Sequence, residues 1–212
     1  TSWGVSTRLM GALVMAHGDD AGLRLPPRLA PIHVVILAVR SEGGVVERCV
    51  ALKDELLAAG LRVELDDRTD VSFGRRAVEW ELKGVPVRLE VGPRDLEAQT
   101  VTVVRRDTRD KASVSVSAVA PHVADTLETI QTAMFAEALE LRRRRTIDVT
   151  SVESAEQAAR DGFAVLPVDA LGADGEQRLN TARASVRCIQ RPDGSLPDAG
   201  DEHLVAVIAR AY

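Results

Sequence analysis

The chain has 212 residues, enough for one large domain or two small ones, since domains cluster near roughly 100 to 150 residues. Apolar residues make up 45% and charged ones 28%, a globular profile, and aromatics at 3% leave the cores to Val, Leu, Ala and Ile. A net charge of −5 excludes a general polyanion binder, because non-specific affinity for nucleic acid follows the number of phosphates neutralised. No apolar run approaches the roughly 20 residues of a membrane span and no secretory leader is recognisable, so a cytoplasmic protein is expected.

Residues 1–6 read as the end of a strand. Residues 8–16 follow as a helix, with Leu9, Ala12, Leu13, Met15 and Ala16 near helical spacing and Gly18 placed to end it. Pro26, Pro27 and Pro31 forbid regular helix and mark a connector. Residues 32–39 form the continuous branched-apolar run expected of a buried parallel strand. Val46, Cys49, Val50, Leu52, Leu56 and Leu57 make a helical stripe over residues 45–59, ending at Gly60. A strand at 61–65, a helix at 74–83 closed by Gly84, and a strand at 85–91 come next, with Pro86 tolerable near the strand's start. Two more strands, 100–105 and 112–116, lead into a long helix over 123–144. The pattern then restarts with a helix at 152–160, a strand at 163–168, a helix near 175–182, a strand at 185–189, a Pro/Gly/Asp loop and a last strand at 203–210.

This alternation predicts an α/β protein. Residues 32–135 form a five-stranded mixed-sheet domain, 136–212 a small α/β C-terminal domain, and 1–31 a strand-helix piece ahead of both. Cys49 and Cys188 lie far apart and read as reduced core thiols rather than a disulfide. The best local surface for RNA is the stretch 72–111, which holds Arg75, Arg76, Lys83, Arg88, Arg94, Arg105, Arg106, Arg109 and Lys111.

Arg8 sits at a predicted strand-to-helix junction. A guanidinium there can stack on adenine and pair with phosphate oxygens, while the first helical turn offers free N–H groups to anions. The stretch Ser2-Trp3-Gly4-Val5-Ser6-Thr7-Arg8, with His17-Gly18-Asp19-Asp20 and Leu25-Pro26-Pro27 after it, resembles motif 3 of class II aminoacyl-tRNA synthetases. In this wording it is similar to the prolyl-tRNA synthetases of the archaeal/eukaryotic-like type. The resemblance implies ATP contacts for Ser6 and Arg8, an amino-acid pocket floored by Trp3 and Gly4, and 1–31 as a remnant of the catalytic domain. His17, Asp19 and Asp20 read as a helix end and turn, not as a metal site. Motifs 1 and 2 are absent, so the chain alone is expected not to activate proline.

A second block, Trp80-Glu81-Leu82-Lys83-Gly84-Val85-Pro86-Val87-Arg88 with Gly92-Pro93-Arg94-Asp95-Leu96, resembles the anticodon-binding domain of the same family. Proline anticodons share two guanines. An unpaired guanine shows N1–H and N2–H₂ donors on one edge and O6 and N7 acceptors on another, which a carboxylate and an arginine fork complement. Glu81 and Arg88 are therefore the expected readers, with Arg94 and Lys111 as further contacts. Without the resemblance, Glu81 and Arg88 read as a surface salt bridge of little energetic weight.

The family's C-terminal domain often carries a four-cysteine zinc site. Here Cys188 stands alone in that region, so no zinc is expected. The terminal Tyr212 matches the family's ending, and Arg142 to Arg145 read as helix-end cations rather than an RNA track. The resemblance implies a parent ligase that joins L-proline to its tRNA through prolyl-adenylate, with ATP and Mg²⁺, as a homodimer held through the catalytic domain. The chain itself is expected to recognise the tRNA anticodon and to supply one side of the ATP site. Two alternatives remain: a non-catalytic tRNA-binding accessory module derived from a class II synthetase, and another enzyme of the same subgroup.

Overall fold

The computed structural model describes residues 4–210. The chain divides into two compact units, residues 1–134 and 135–212. In the first, α1 (Arg8–His17) leads into a small antiparallel pair, β1 (Gly18–Asp19) and β2 (Gly22–Leu23). Residues 4–6 are exposed and form no strand, because a strand exists only through pairing and they have no partner among the described residues.

The main sheet follows the predicted order. Its elements are β3 (Val34–Ala38), α2 (Val45–Ala58), β4 (Val63–Asp66), α3 (Phe73–Leu82), β5 (Val87–Val91), a short α4 (Pro93–Glu97), β6 (Thr100–Arg105) and β7 (Lys111–Ser115). The spatial order is β4-β3-β5-β6-β7. β3 runs parallel to β4 and β5, whereas β6 and β7 are antiparallel additions. All five residues of β3 are buried, as a strand with elements on both faces requires.

α5 (Val119–Arg144) follows, and the boundary between the units falls within it. Strand alternation and helical period then sort the core. Val34, Ile36, Val87 and Leu89 point to one face, where α2 supplies Val45, Cys49, Leu52 and Leu56 and α5 supplies Val119, Val123, Leu127 and Ile130. On the other face Val35 and Leu37 meet α3, through Ala77 and Trp80, together with Val85. Burial pushes the Cys49 thiol up to about 12, an inert core group.

The second unit contains β8 (Thr146–Asp148), α6 (Val152–Ala158), β9 (Phe163–Pro167), α7 (Gly175–Thr181), β10 (Ala184–Gln190) and β11 (Val205–Arg210). Its sheet runs β10-β11-β9-β8 around Ala155, Leu166, Leu179 and Ile208. Cys188 corrects an expectation: it is exposed, not core, because β10 is an edge strand whose pairing slips between Val186 and Cys188. Arg142 to Arg144 occupy the last turn of α5 and are exposed, where the helix dipole favours cations. Among the described residues no helix is long and apolar enough to cross a membrane, and no three His, Cys, Asp or Glu are grouped to hold a metal.

Candidate nucleic-acid interface

Strand register builds the site. Val35 pairs with Arg88, Arg88 with Val104, and Val104 with Lys111. Partners in register share a face, so these four side chains form one row across four strands, on the side covered by α3. The end of α3 overlooks this row with Trp80 and Glu81, and Arg105, Arg106 and Arg109 close the rim. The resulting cleft measures about 180 Å³, several times the roughly 30 Å³ share of one water and below the size of a drug-type pocket. Its floor is apolar, and five basic side chains and one acid line it.

The acid is held against local preference. Glu79 and Glu81 both lie in the last turn of α3, where the helix dipole favours cations. Glu79 is compensated by Arg68 at 2.9 Å and Arg75 at 3.4 Å, whereas Glu81 has Arg109 at 3.6 Å. Glu90, buried beside the row, receives Arg88 at 2.9 Å on one oxygen and Lys111 at 3.4 Å on the other. Glu81 and Arg88 therefore reach one cleft with different charge partners.

Two buried arginines hold the scaffold. Arg76, fully buried, donates to the Val71 carbonyl at 3.1 Å, the Asp66 carbonyl at 3.0 Å and the Ala38 carbonyl at 2.8 Å. Arg106 donates through Nε to the Glu81 carbonyl at 3.1 Å and through both terminal nitrogens to Asp19, at 3.0 and 2.6 Å. The Arg106 hydrogen bond is the main reason the Asp19 carboxyl lies at about 2.

Asp66 anchors α3. Its Oδ2 accepts from Trp80 Nε1 at 2.7 Å and Arg68 Nη2 at 2.7 Å, and Lys83 Nζ lies 3.9 Å from the centre of the Trp80 ring. Burial alone would raise the Asp66 carboxyl, but the bonds from Arg68 and Trp80 outweigh it and bring the group from 3.8 to about 2. The folded value is below the unfolded one, so this stabilisation is complete above the unfolded pKa and fades as pH falls through the folded pKa. The difference in unfolding free energy between the natural protein and Asp66→Asn, followed by urea titration, is expected to be flat above about pH 4 and to shrink by on the order of 2 kcal/mol between pH 4 and 2. A difference that is the same at pH 2.5 and pH 6 contradicts this account.

The remaining expected site residues lie elsewhere. Arg94 is exposed on α4 and is not among the cleft-lining residues. Gly4, Ser6 and Arg8 are exposed, and Arg8 opens α1 as expected. Trp3 and Tyr212 lie outside the described residues. Arg105, Arg106 and Arg109 join the cleft although sequence reasoning gave them no individual role. Their only signal was the cluster Arg105-Arg106-Asp107-Thr108-Arg109-Asp110.

Residues 33–126 match the family described as the anticodon binding domain. Over its whole length the chain is similar to proline–tRNA ligases. It is 52% identical to the proline–tRNA ligase of Frankia alni, with all of this chain and 46% of that protein covered. It is 53% identical to proline–tRNA ligase 2 of Streptomyces avermitilis, covering 100% of this chain and 45% of that protein. Identity to the proline–tRNA ligase of Flavobacterium johnsoniae is 42%, over 94% of this chain and 42% of that protein. The chain thus spans about half the length of the curated relatives it matches.

Proposed function

We propose that this chain is the anticodon-recognising part of a proline–tRNA ligase and that its cleft reads the guanines shared by proline anticodons. One observation carries the reading: Glu81, Arg88 and Lys111, from a helix end and two strands, line a common cleft with an apolar floor. A guanine entering edge-on meets the Glu81 carboxylate with N1–H and N2–H₂. Its O6 and N7 acceptors match Arg88 and Lys111. Nε and Nη2 of Arg88 face Glu90, so the Nη1–Nη2 edge supplies the donors. The exposed Arg94 suits a flanking phosphate better than a base edge.

In the complete ligase L-proline is joined to its tRNA with consumption of ATP, and Mg²⁺ accompanies the ATP phosphates. Ser6 and Arg8 are assigned to ATP, and Trp3 and Gly4 to the amino-acid pocket. The exposed start of α1, which lacks a side-chain cap at Thr7, is suited to an anion.

The test is binding of a proline anticodon stem-loop to the 212-residue chain. Arg88→Ala is expected to weaken binding by about 1 to 3 kcal/mol, the value of one bidentate base contact. It should leave binding of a loop with both guanines replaced nearly unchanged. Equal losses for both loops assign Arg88 to the phosphate backbone and remove the base-reading claim.

A further inference from the structure

Arg109 combines two features that a merely structural turn residue does not need. It lies in the connection between β6 and β7 with φ of +64°, a left-handed conformation that glycine adopts freely and arginine rarely does. Its side chain is 60% exposed yet reaches Glu81, the one acid lining the cleft, at 3.6 Å. The three other arginines of the cleft are in closed pairs: Arg106 meets Asp19 at 2.6 Å, Arg105 meets Asp107 at 2.7 Å and Arg88 meets Glu90 at 2.9 Å, while Lys111 reaches the buried Glu90 at 3.4 Å. Those three arginine bonds are tight for charge-assisted ones, whereas the Arg109 pair exceeds the range. Gln99, Arg183 and His203 share the left-handed backbone, but of these four only Arg109 lines the cleft.

We propose that Arg109 is an exchangeable counter-ion for Glu81 that becomes a phosphate contact when RNA binds. Resting on the anticodon reading above, the inference adds a residue and a sequence of events. A base edge that donates two N–H groups to the Glu81 carboxylate replaces the guanidinium. Arg109, on its flexible stem at the rim, then turns to the phosphate flanking that base. Until then it neutralises Glu81, and a group that offers only acceptors cannot take its place on the carboxylate. Glu81 thus discriminates among bases through a competition and not by attraction alone.

The experiment compares Arg109→Gly, Arg109→Lys and the natural protein, measuring thermal stability and the salt dependence of stem-loop binding. Glycine at φ +64° relieves the backbone, so Arg109→Gly is expected to be at least as stable as the natural protein. The same variant should bind the proline stem-loop about tenfold more weakly, with a salt slope reduced by about 0.7, the value for one phosphate contact on a single strand. Arg109→Lys keeps the charge and should retain the slope. Binding within twofold of the natural protein with an unchanged slope overturns the proposal, as does a slope equally reduced in Arg109→Lys. If the natural protein shows no preference for the guanine-containing loop, it is the anticodon reading that fails; a preference kept intact by Arg109→Gly with no loss of affinity defeats the Arg109 role alone.

Discussion

Replacing Arg76 with methionine is expected to lower the unfolding free energy by about 3 to 5 kcal/mol, the range for removing one partner from a buried ionic network. Methionine restores most of the stem volume, so the loss isolates the guanidinium. Without it the carbonyls of Ala38, Asp66 and Val71 lose a donor, and the fully buried position lets in little water to replace it. Asp66 also loses a nearby positive charge, 3.4 Å from its Oδ1. Arg76→Lys keeps the charge but cannot reach three carbonyls from one nitrogen, and an intermediate loss is expected. Urea unfolding measures all three proteins. A loss under 1 kcal/mol for the methionine variant means that the buried guanidinium is not what fastens α3 to the sheet.

The second large effect is steric. Gly84 follows α3 with φ of +74°, and a Cβ added there would lie 2.6 Å from Leu23 Cβ and 2.7 Å from the Leu23 carbonyl carbon and oxygen. Gly22 mirrors it from β2: its added Cβ would lie 2.5 Å from Leu82 Cα. The two backbones touch because neither residue has a side chain, and the Leu25 N–H donates to the Gly84 carbonyl at 3.2 Å beside them. Gly60 provides the control, since its φ is +80° but nothing lies within 4 Å of its added Cβ. Gly60→Ala is expected to cost about 1 kcal/mol, the left-handed backbone term alone. Gly84→Ala is expected to cost about 2 to 4 kcal/mol, because separation of β2 from α3 is added to that term. Equal losses for the two variants dismiss the contact.

Much of the fold was legible because its signals are local. The buried run around β3 and the stripes of α2 and α5 are written in contiguous residues, and their ends came within a few positions. α4 was missed although Pro93 suits a first helical position and Asp95 accepts from the Gly92 N–H at 2.9 Å. Five residues carry too little periodicity to stand out. The site divides in the same way. Glu81 and Arg88 could be singled out through a motif, but the row Val35, Arg88, Val104, Lys111 exists only once four strands are in register. Asp19 and Arg106 are 87 positions apart, and nothing in either neighbourhood announces the other. Asp19 read as a turn residue, which it also is, since its Oδ1 accepts from the Ala21 N–H at 2.9 Å.

That long-range pair has a mechanical consequence. One guanidinium grips a carboxylate in the β1–β2 hairpin and the peptide oxygen of the very residue whose side chain overlooks the cleft. Hairpin and cleft rim are therefore riveted to the same plate, and strain applied to either is felt by the other. By linkage, a ligand that stiffens the rim through this contact also makes the hairpin harder to prise loose, and by the same coupling free energy. The turn after α1 is tied to the framework of the cleft, however distant it stands in the chain.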